Sequence, residues 1–128
     1  MTDKEYLKLA VDQAKESVEA GGFPAGAIIV KDGKIVAERI SIGFELNDPT
    51  SHAETSSVRK ACSDLKTSDL SGATLYASLQ PCIMCFSVSN WANISRIVYG
   101  CKKTDEMAKK RYYEGFNKLE DINNNNVR

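Results

Sequence analysis

The sequence predicts an α/β sandwich in which helices and strands alternate and crossover connections join them. Three observations support this fold class: helix-like and strand-like periodicities alternate along the chain, turn and helix-start signals separate them, and the length suits one core. At 128 residues, with 42% hydrophobic and 27% charged side chains, the composition is that of a single globular domain. We therefore expect a mixed sheet that is parallel in its later strands.

The first part of the chain predicts one helix followed by a pair of strands. Thr2 and Glu5 have the spacing of a capping box, and apolar residues then recur at helical intervals. The stripe consists of Leu7, Ala10, Val11, Ala14 and Val18. The segments 25–30 and 35–37 are apolar, and the hairpin signal Asp32-Gly33 lies between them. These segments predict two paired strands.

The second part predicts helix, strand, helix and strand in turn. Residues 51–62 suit a helix with His52 in its first turn, and a strand follows over 73–79. Pro81 is expected at the first position of the next helix, because proline has no amide hydrogen to lose there. The apolar run 97–99 predicts the last strand.

The only histidine of the chain belongs to a set of residues whose types bind metals. His52 precedes Glu54 by two positions, and Cys82 and Cys85 follow later as a C-x-x-C pair. One imidazole nitrogen and two thiolates are three ligands for Zn²⁺, and they leave the fourth position to water. Both segments are predicted at helix N-termini, where the helix dipole favours thiolates, so we expect both thiols to ionise below their free value. The carboxylate of Glu54 is then left for proton transfer.

Simpler explanations exist for each part of this pattern. The C-x-x-C pair could be two small buried residues, and Ser51 with Glu54 also has the spacing of a capping box. A purely structural zinc site is a further alternative, in which Cys62 or Cys101 closes the coordination shell. The joint occurrence of the two motifs favours a catalytic zinc site, because a closed site has no use for the glutamate.

The charge balance bears on possible partners. Basic and acidic residues number 17 each, so no overall positive field attracts a polyanion. One local basic cluster could contact a phosphate backbone, but neighbouring carboxylates dilute it and favour a solvated face: Lys102, Lys103, Lys109, Lys110 and Arg111. The N-terminal sequence does not have the pattern of a targeting signal, and no stretch is long and apolar enough for a bilayer, so we expect a cytoplasmic protein with reduced cysteines.

These motifs resemble those of the cytidine deaminase-like superfamily across residues 3–116. The matching segments are Pro24-Ala25-Gly26-Ala27, Asp48-Pro49-Thr50, His52-Ala53-Glu54 and Pro81-Cys82-Ile83-Met84-Cys85. Within the superfamily the chain looks most like bacterial guanine deaminases and their nucleoside-deaminase relatives. The segments typical of that group are Arg59-Lys60-Ala61-Cys62, Trp91-Ala92 and Thr104-Asp105. It is also similar to tRNA adenosine deaminases and fungal-type cytosine deaminases.

The resemblance implies a three-layer α/β/α sandwich that hydrolytically removes an exocyclic amine from a nucleobase or nucleoside. Water activated by Zn²⁺ attacks the amidine carbon, while Glu54 protonates a ring nitrogen and then the departing ammonia. The implied metal ligands are His52, Cys82 and Cys85. The Ala53 amide and the Gln80 carbonyl are expected to orient the base. The full set of predicted substrate-binding residues is Pro24, Ser41, Ala53, Gln80 and Glu114.

The chain departs from the superfamily pattern at several places. Members usually carry an asparagine eleven residues before the zinc histidine, and Ser41 stands at that position here. Guanine deaminases place an aspartate near Tyr113, where the adjacent Glu114 is either its replacement or a solvated charge. Guanine and cytosine deaminases close the substrate pocket with a C-terminal segment. We assign residues 1–117 to the deaminase domain and 118–128 to a polar, disordered tail, so we expect the pocket to be either more open or closed by another subunit.

Three functions therefore follow from the sequence. The first is deamination of a free base or nucleoside of guanine or cytosine type. The second is deamination of tRNA adenosine or single-stranded nucleic acid, which the balanced charge does not favour. The third is a non-catalytic zinc module. The resemblance also implies a homodimer or a larger homo-oligomer, and no membrane partner is expected.

Overall fold

The structure is a computed structural model that describes residues 1–21, 23–41, 46–102, 104 and 123. Its helices and strands are α1 (Asp3–Glu19), β1 (Gly26–Lys31), β2 (Lys34–Ile40), α2 (Ala53–Leu65), β3 (Thr74–Leu79), α3 (Ile83–Trp91) and β4 (Arg96–Cys101). Each predicted helix and strand is present. Within the described part of the chain, no helix has the length and apolarity that a membrane span requires. The predictions for Glu114, for the basic cluster beyond Lys102 and for the tail 118–128 apart from residue 123 lie outside the described residues.

The four strands form one mixed sheet in the order β2-β1-β3-β4. β1 is antiparallel to both β2 and β3, whereas β3 and β4 are parallel. Parallel neighbours need a crossover, and α3 supplies it. The prediction of a mixed sheet, parallel in its later strands, is confirmed.

The turn between β1 and β2 is fixed by its two central residues. Asp32 and Gly33 have φ values of 52° and 74°, which is the left-handed combination of a type I′ turn. This turn matches the twist of paired strands, and it sets the register in which Lys31 pairs with Lys34. The dipeptide signal in the sequence therefore predicted both the hairpin and its position.

Two hydrophobic clusters on opposite faces of the sheet make the fold three-layered. On one face, Tyr6 and Ala10 of α1 pack against Ile28 of β1 and Tyr76 of β3. On the other face, a second cluster combines residues of α2 with alternate residues of the strands: Ala27, Ile29, Ala37, Ala53, Val58, Ala61 and Leu75 are among its members. Because successive side chains of a strand point to opposite faces, β1 contributes to both clusters. The three-layer sandwich is confirmed.

The helices α2 and α3 each start two residues later than predicted. His52 is the N-cap of α2 and not part of its first turn, and Cys82 is the N-cap of α3, so Pro81 precedes that helix. For α3 the physical reason is that the Cys82 sulfur accepts a hydrogen bond from the Cys85 amide and thereby takes the capping role. The first helix starts as predicted, since Thr2 Oγ1 accepts the Glu5 amide at 3.2 Å.

Substitution of Gly26 by alanine is expected to destabilise the protein by about 1–3 kcal/mol or more. A Cβ at Gly26 meets the Cβ of Gln13, the carbonyl oxygen of Ala10 and, at 2.7 Å, the amide nitrogen of Ala14. These atoms belong to α1, so the helix has to move away from the sheet. Urea unfolding measures the loss. Gly100→Ala is the matched control, because its nearest contact is a milder 3.2 Å, and equal losses for the two variants contradict this account.

Candidate active site

Three side chains from two helix N-termini come together at the centre of the site. His52 caps α2, Cys82 caps α3, and Cys85 lies in the first turn of α3. His52 Nδ1 is 3.5 Å from Cys82 Sγ and 3.6 Å from Cys85 Sγ. The possible ligand atoms of the three residues all lie within 4.8 Å of one another. The structure therefore groups the three predicted ligands.

The spacing and chemistry of these atoms fit zinc. Bond lengths of about 2.05 Å to nitrogen and about 2.3 Å to sulfur, at tetrahedral angles, separate a nitrogen from a sulfur ligand by about 3.6 Å. The observed separations are 3.5 and 3.6 Å. Neither Cys62 nor Cys101 belongs to the group found among the described residues. Three protein ligands leave a tetrahedral position for water, which is the arrangement of catalytic sites.

The loop before α2 is held in place by one carboxylate. Asp48 accepts hydrogen bonds from the Thr50 amide at 2.9 Å, from the Thr50 hydroxyl at 2.7 Å and from the Ser51 hydroxyl at 2.7 Å. These bonds, the Ser51 hydroxyl foremost, lower the pKa of Asp48 to about 2. Because Ser51 donates to Asp48 and His52 is the N-cap, the capping-box explanation of Ser51 and Glu54 is wrong.

The two thiols differ in acidity, contrary to the sequence prediction for one of them. A hydrogen bond from the Cys85 thiol, with further help from His52 and the Cys85 amide, lowers the pKa of Cys82 to about 4. The pKa of Cys85 is raised, because its proton is held by the Cys82 sulfur and because the side chain is buried. Two adjacent thiols share one proton, so the expectation that both ionise easily was wrong for Cys85. Zinc binding requires both as thiolates.

Glu54 is a buried carboxyl group two residues from the histidine ligand. It occupies the second position of α2, and only 5% of its surface is exposed. Burial raises the pKa of Glu54 to about 7, against a smaller lowering effect of its hydrogen bonds. A carboxyl group with a pKa near neutrality can both accept and return a proton, which suits general acid and base chemistry.

The predicted substrate-binding residues are placed unequally around this centre. Ala53 is fully buried at the first position of α2. Gln80 is buried and lies in the sequence between β3 and the two metal-binding cysteines. Its backbone amide donates to the Cys101 carbonyl at 2.7 Å. Ser41 is buried just after β2, where its backbone is bonded to Ala25 and Ser17, and Pro24 is exposed. The substrate contacts of all four stay predictions.

The sequence analysis missed one residue of the site. Thr55 follows Glu54 on α2, and its hydroxyl donates a hydrogen bond to Cys85 Sγ at 3.1 Å. The two residues are thirty positions apart, so no local motif contains the pair. The sequence offers only one signal for this role. Thr55 is a polar residue in the first turn of a predicted helix, next to Glu54 and three positions after His52.

The sequence of this chain is similar to a known protein family and to deaminases of two kinds. The profile described as the cytidine and deoxycytidylate deaminase zinc-binding region matches residues 1–101. A guanine deaminase of Bacillus subtilis is 44% identical over 106 residues, which are 82% of this chain and 68% of that protein. A tRNA-specific adenosine deaminase of Aquifex aeolicus is 43% identical over 97 residues, which are 75% of this chain and 64% of that protein.

Solved structures include both kinds of relative. The crystal structure of the Bacillus subtilis guanine deaminase superposes with a TM-score of 0.81 at 40% identity, covering 88% of this chain and 71% of that one. A structure from a study of tRNA:A34 deaminases, which edit the wobble position of transfer RNA, superposes with a TM-score of 0.76 at 38% identity. That match covers 78% of this chain and 77% of the other.

Proposed function

We propose that this chain, which belongs to the cytidine and deoxycytidylate deaminase zinc-binding family, hydrolyses the exocyclic amine of a free nucleobase or nucleoside, with guanine as the leading substrate. The single observation that carries the proposal is the position of Glu54, a buried carboxyl group beside the His52, Cys82 and Cys85 donor set. Such a group has no use in a structural zinc site. The similarity to a guanine deaminase over 82% of the chain supports the choice of base.

The chemistry requires water to enter and ammonia to leave. His52, Cys82 and Cys85 would hold zinc, which would supply Lewis-acid activation of a water and lower its pKa to about 7. Glu54 takes a proton from the attacking water and passes it to a ring nitrogen of the base. It then takes the remaining hydroxyl proton and delivers it to the exocyclic amine as the carbon–nitrogen bond breaks. One water is consumed, one ammonia is released, and the ring keeps a carbonyl oxygen.

Two backbone groups are suited to orient the base. Ala53 is the first residue of α2, so its amide has no partner within the helix and can donate to a carbonyl oxygen of the substrate. The bond from the Gln80 amide to the Cys101 carbonyl fixes the peptide at the end of β3, next to the cysteine ligands. We propose that the Gln80 carbonyl accepts a hydrogen bond from an amino group of the base.

A second candidate substrate is an adenosine within transfer RNA. It is favoured by the 43% identity to the Aquifex aeolicus tRNA-specific adenosine deaminase. Against it stands the balance of 17 basic and 17 acidic residues, because binding to RNA draws much of its affinity from contacts between cations and phosphates. The homodimer and the cytoplasmic location stay predictions from the sequence.

Ammonia release from zinc-loaded full-length protein distinguishes the candidates. The substrates are guanine, cytosine, adenine, their nucleosides and a tRNA anticodon stem-loop. We expect guanine to be deaminated with a kcat/KM at least about 10²-fold above that of adenine, because a site built for a particular hydrogen-bonding edge rejects a base that lacks it. Activity only on the stem-loop, falling steeply as salt rises, assigns the second candidate instead. Ammonia release from none of them leaves the non-catalytic zinc module.

A further inference from the structure

The hydroxyl group of Thr55 is directed at a metal ligand. Thr55 is the third residue of α2, only 5% of it is exposed, and its Oγ1 lies 3.1 Å from the sulfur of Cys85. The same helix turn carries His52 at its cap and Glu54 at its second position. This bond therefore connects the helix of the histidine ligand and the glutamate to the helix of the cysteine ligands.

The strength of this bond depends on the state of the sulfur. A neutral thiol is a weak hydrogen-bond acceptor, whereas hydrogen bonds to an ionised acceptor are roughly twice as strong as neutral ones. Zinc takes Cys85 as a thiolate, so the bond from Thr55 is stronger in the metal-bound protein than in the metal-free one. An interaction that strengthens on binding tightens the binding.

We propose that Thr55 is a positioning residue of the metal centre, whose hydroxyl holds the Cys85 sulfur as a zinc ligand and thereby raises the affinity of the protein for zinc. The proposal rests on the zinc centre and is independent of which base is deaminated. Hydrogen-bonding partners of metal ligands commonly change metal affinity by about 10- to 100-fold when they are removed.

A purely structural role for the hydroxyl is the competing explanation, and the same helix offers a comparison. Ser57 is fully buried two residues further on, and its hydroxyl donates to the Ala27 carbonyl at 3.3 Å. It is thus a buried, hydrogen-bonded hydroxyl of α2 that contacts backbone and not a ligand sulfur. Loss of the Ser57 hydroxyl is expected to lower stability without changing zinc affinity.

The test measures zinc affinity by competition with a chromophoric chelator at one pH. Thr55→Val keeps the side-chain shape and removes the hydroxyl, and we expect it to weaken zinc binding about 10- to 100-fold. Thr55→Ser keeps the hydroxyl and is expected to restore most of the affinity, while Ser57→Ala keeps all of it. Should the valine variant not fold, Thr55→Ala compared with Thr55→Ser isolates the hydroxyl in the same way.

Cobalt substitution gives a second measurement, whose result does not change if the Thr55 hydroxyl has only a structural role. The sulfur-to-cobalt charge-transfer band reports the electron density on the ligand sulfurs. We expect this band to shift to longer wavelength in Thr55→Val, because a thiolate without its hydrogen bond gives up charge more easily, and to return in Thr55→Ser. Unchanged zinc affinity with an unshifted band in Thr55→Val overturns the proposal, and so does a Thr55→Ser variant as weak as valine.

Discussion

Glu54→Gln is expected to lower the kcat for ammonia release by on the order of 10²- to 10⁴-fold while zinc stays bound. Glutamine has nearly the shape of glutamate, but its amide can neither take up a proton from water nor return it to the leaving amine. The group of possible ligands within 4.8 Å consists of His52, Cys82 and Cys85, so the substitution leaves the metal donors intact. Single-substrate kinetics and metal analysis of the same preparation measure both quantities.

The control for this variant is Glu16→Gln, which makes the same chemical change on an exposed part of α1. It is expected to leave turnover and zinc content unchanged. Normal turnover of Glu54→Gln contradicts the proton-transfer role. Loss of zinc from Glu54→Gln also contradicts our account, because it makes Glu54 part of the coordination and not of the proton path.

Cys85→Ser is expected to abolish both stoichiometric zinc binding and ammonia release. Cys85 is fully buried, and its sulfur is 3.6 Å from His52 Nδ1 in the ligand group. A hydroxyl group is a much poorer zinc ligand than a thiolate, and the two remaining protein donors do not hold zinc against a chelator. Metal content after dialysis against a chelator, together with turnover, is the measurement. Cys82→Ser is expected to behave in the same way.

The other two cysteines of the chain are matched controls. Cys62 is partly buried against the core on the α2 side, and Cys101 is exposed at the end of β4. Cys62→Ser and Cys101→Ser are expected to retain one zinc per chain and to remain active. If either of them loses zinc as Cys85→Ser does, that cysteine fills the fourth position, and the site is structural and closed.

The secondary structure was largely predictable because its signals are local. Asp32 and Gly33 adopt the left-handed φ values that their residue types favour, and Thr2 caps α1 through its own side chain. Errors appeared at helix starts. His52 and Cys82 are N-caps that precede their helices, and hydrophobic periodicity does not place this boundary. At α3 the capping bond from the Cys85 amide to the Cys82 sulfur marks the start.

The acidity of the ligands was predicted only in part. The direction predicted for Cys82 agrees with its lowered pKa, but the main cause is the hydrogen bond from the Cys85 thiol and not the helix dipole. The raised pKa of Cys85 depends on burial and on the neighbouring sulfur, so a prediction from the helix dipole alone gave the wrong direction. For the substrate contacts, the sequence proposed Ser41 and Glu114, and their roles stay predictions.

The sequence by itself identified the three donors that the structure brings together, because ligand chemistry depends on residue type and on short spacings within one segment, and the proton-transfer role of Glu54 stays a prediction. Only the tertiary structure decided how His52 comes within 3.6 Å of two sulfurs that lie thirty or more positions away. It also decided the burial that raises the pKa of Glu54 and the bond from Thr55 to Cys85. Distances and burial of this kind arise when helices pack on a common sheet, and no single segment contains them.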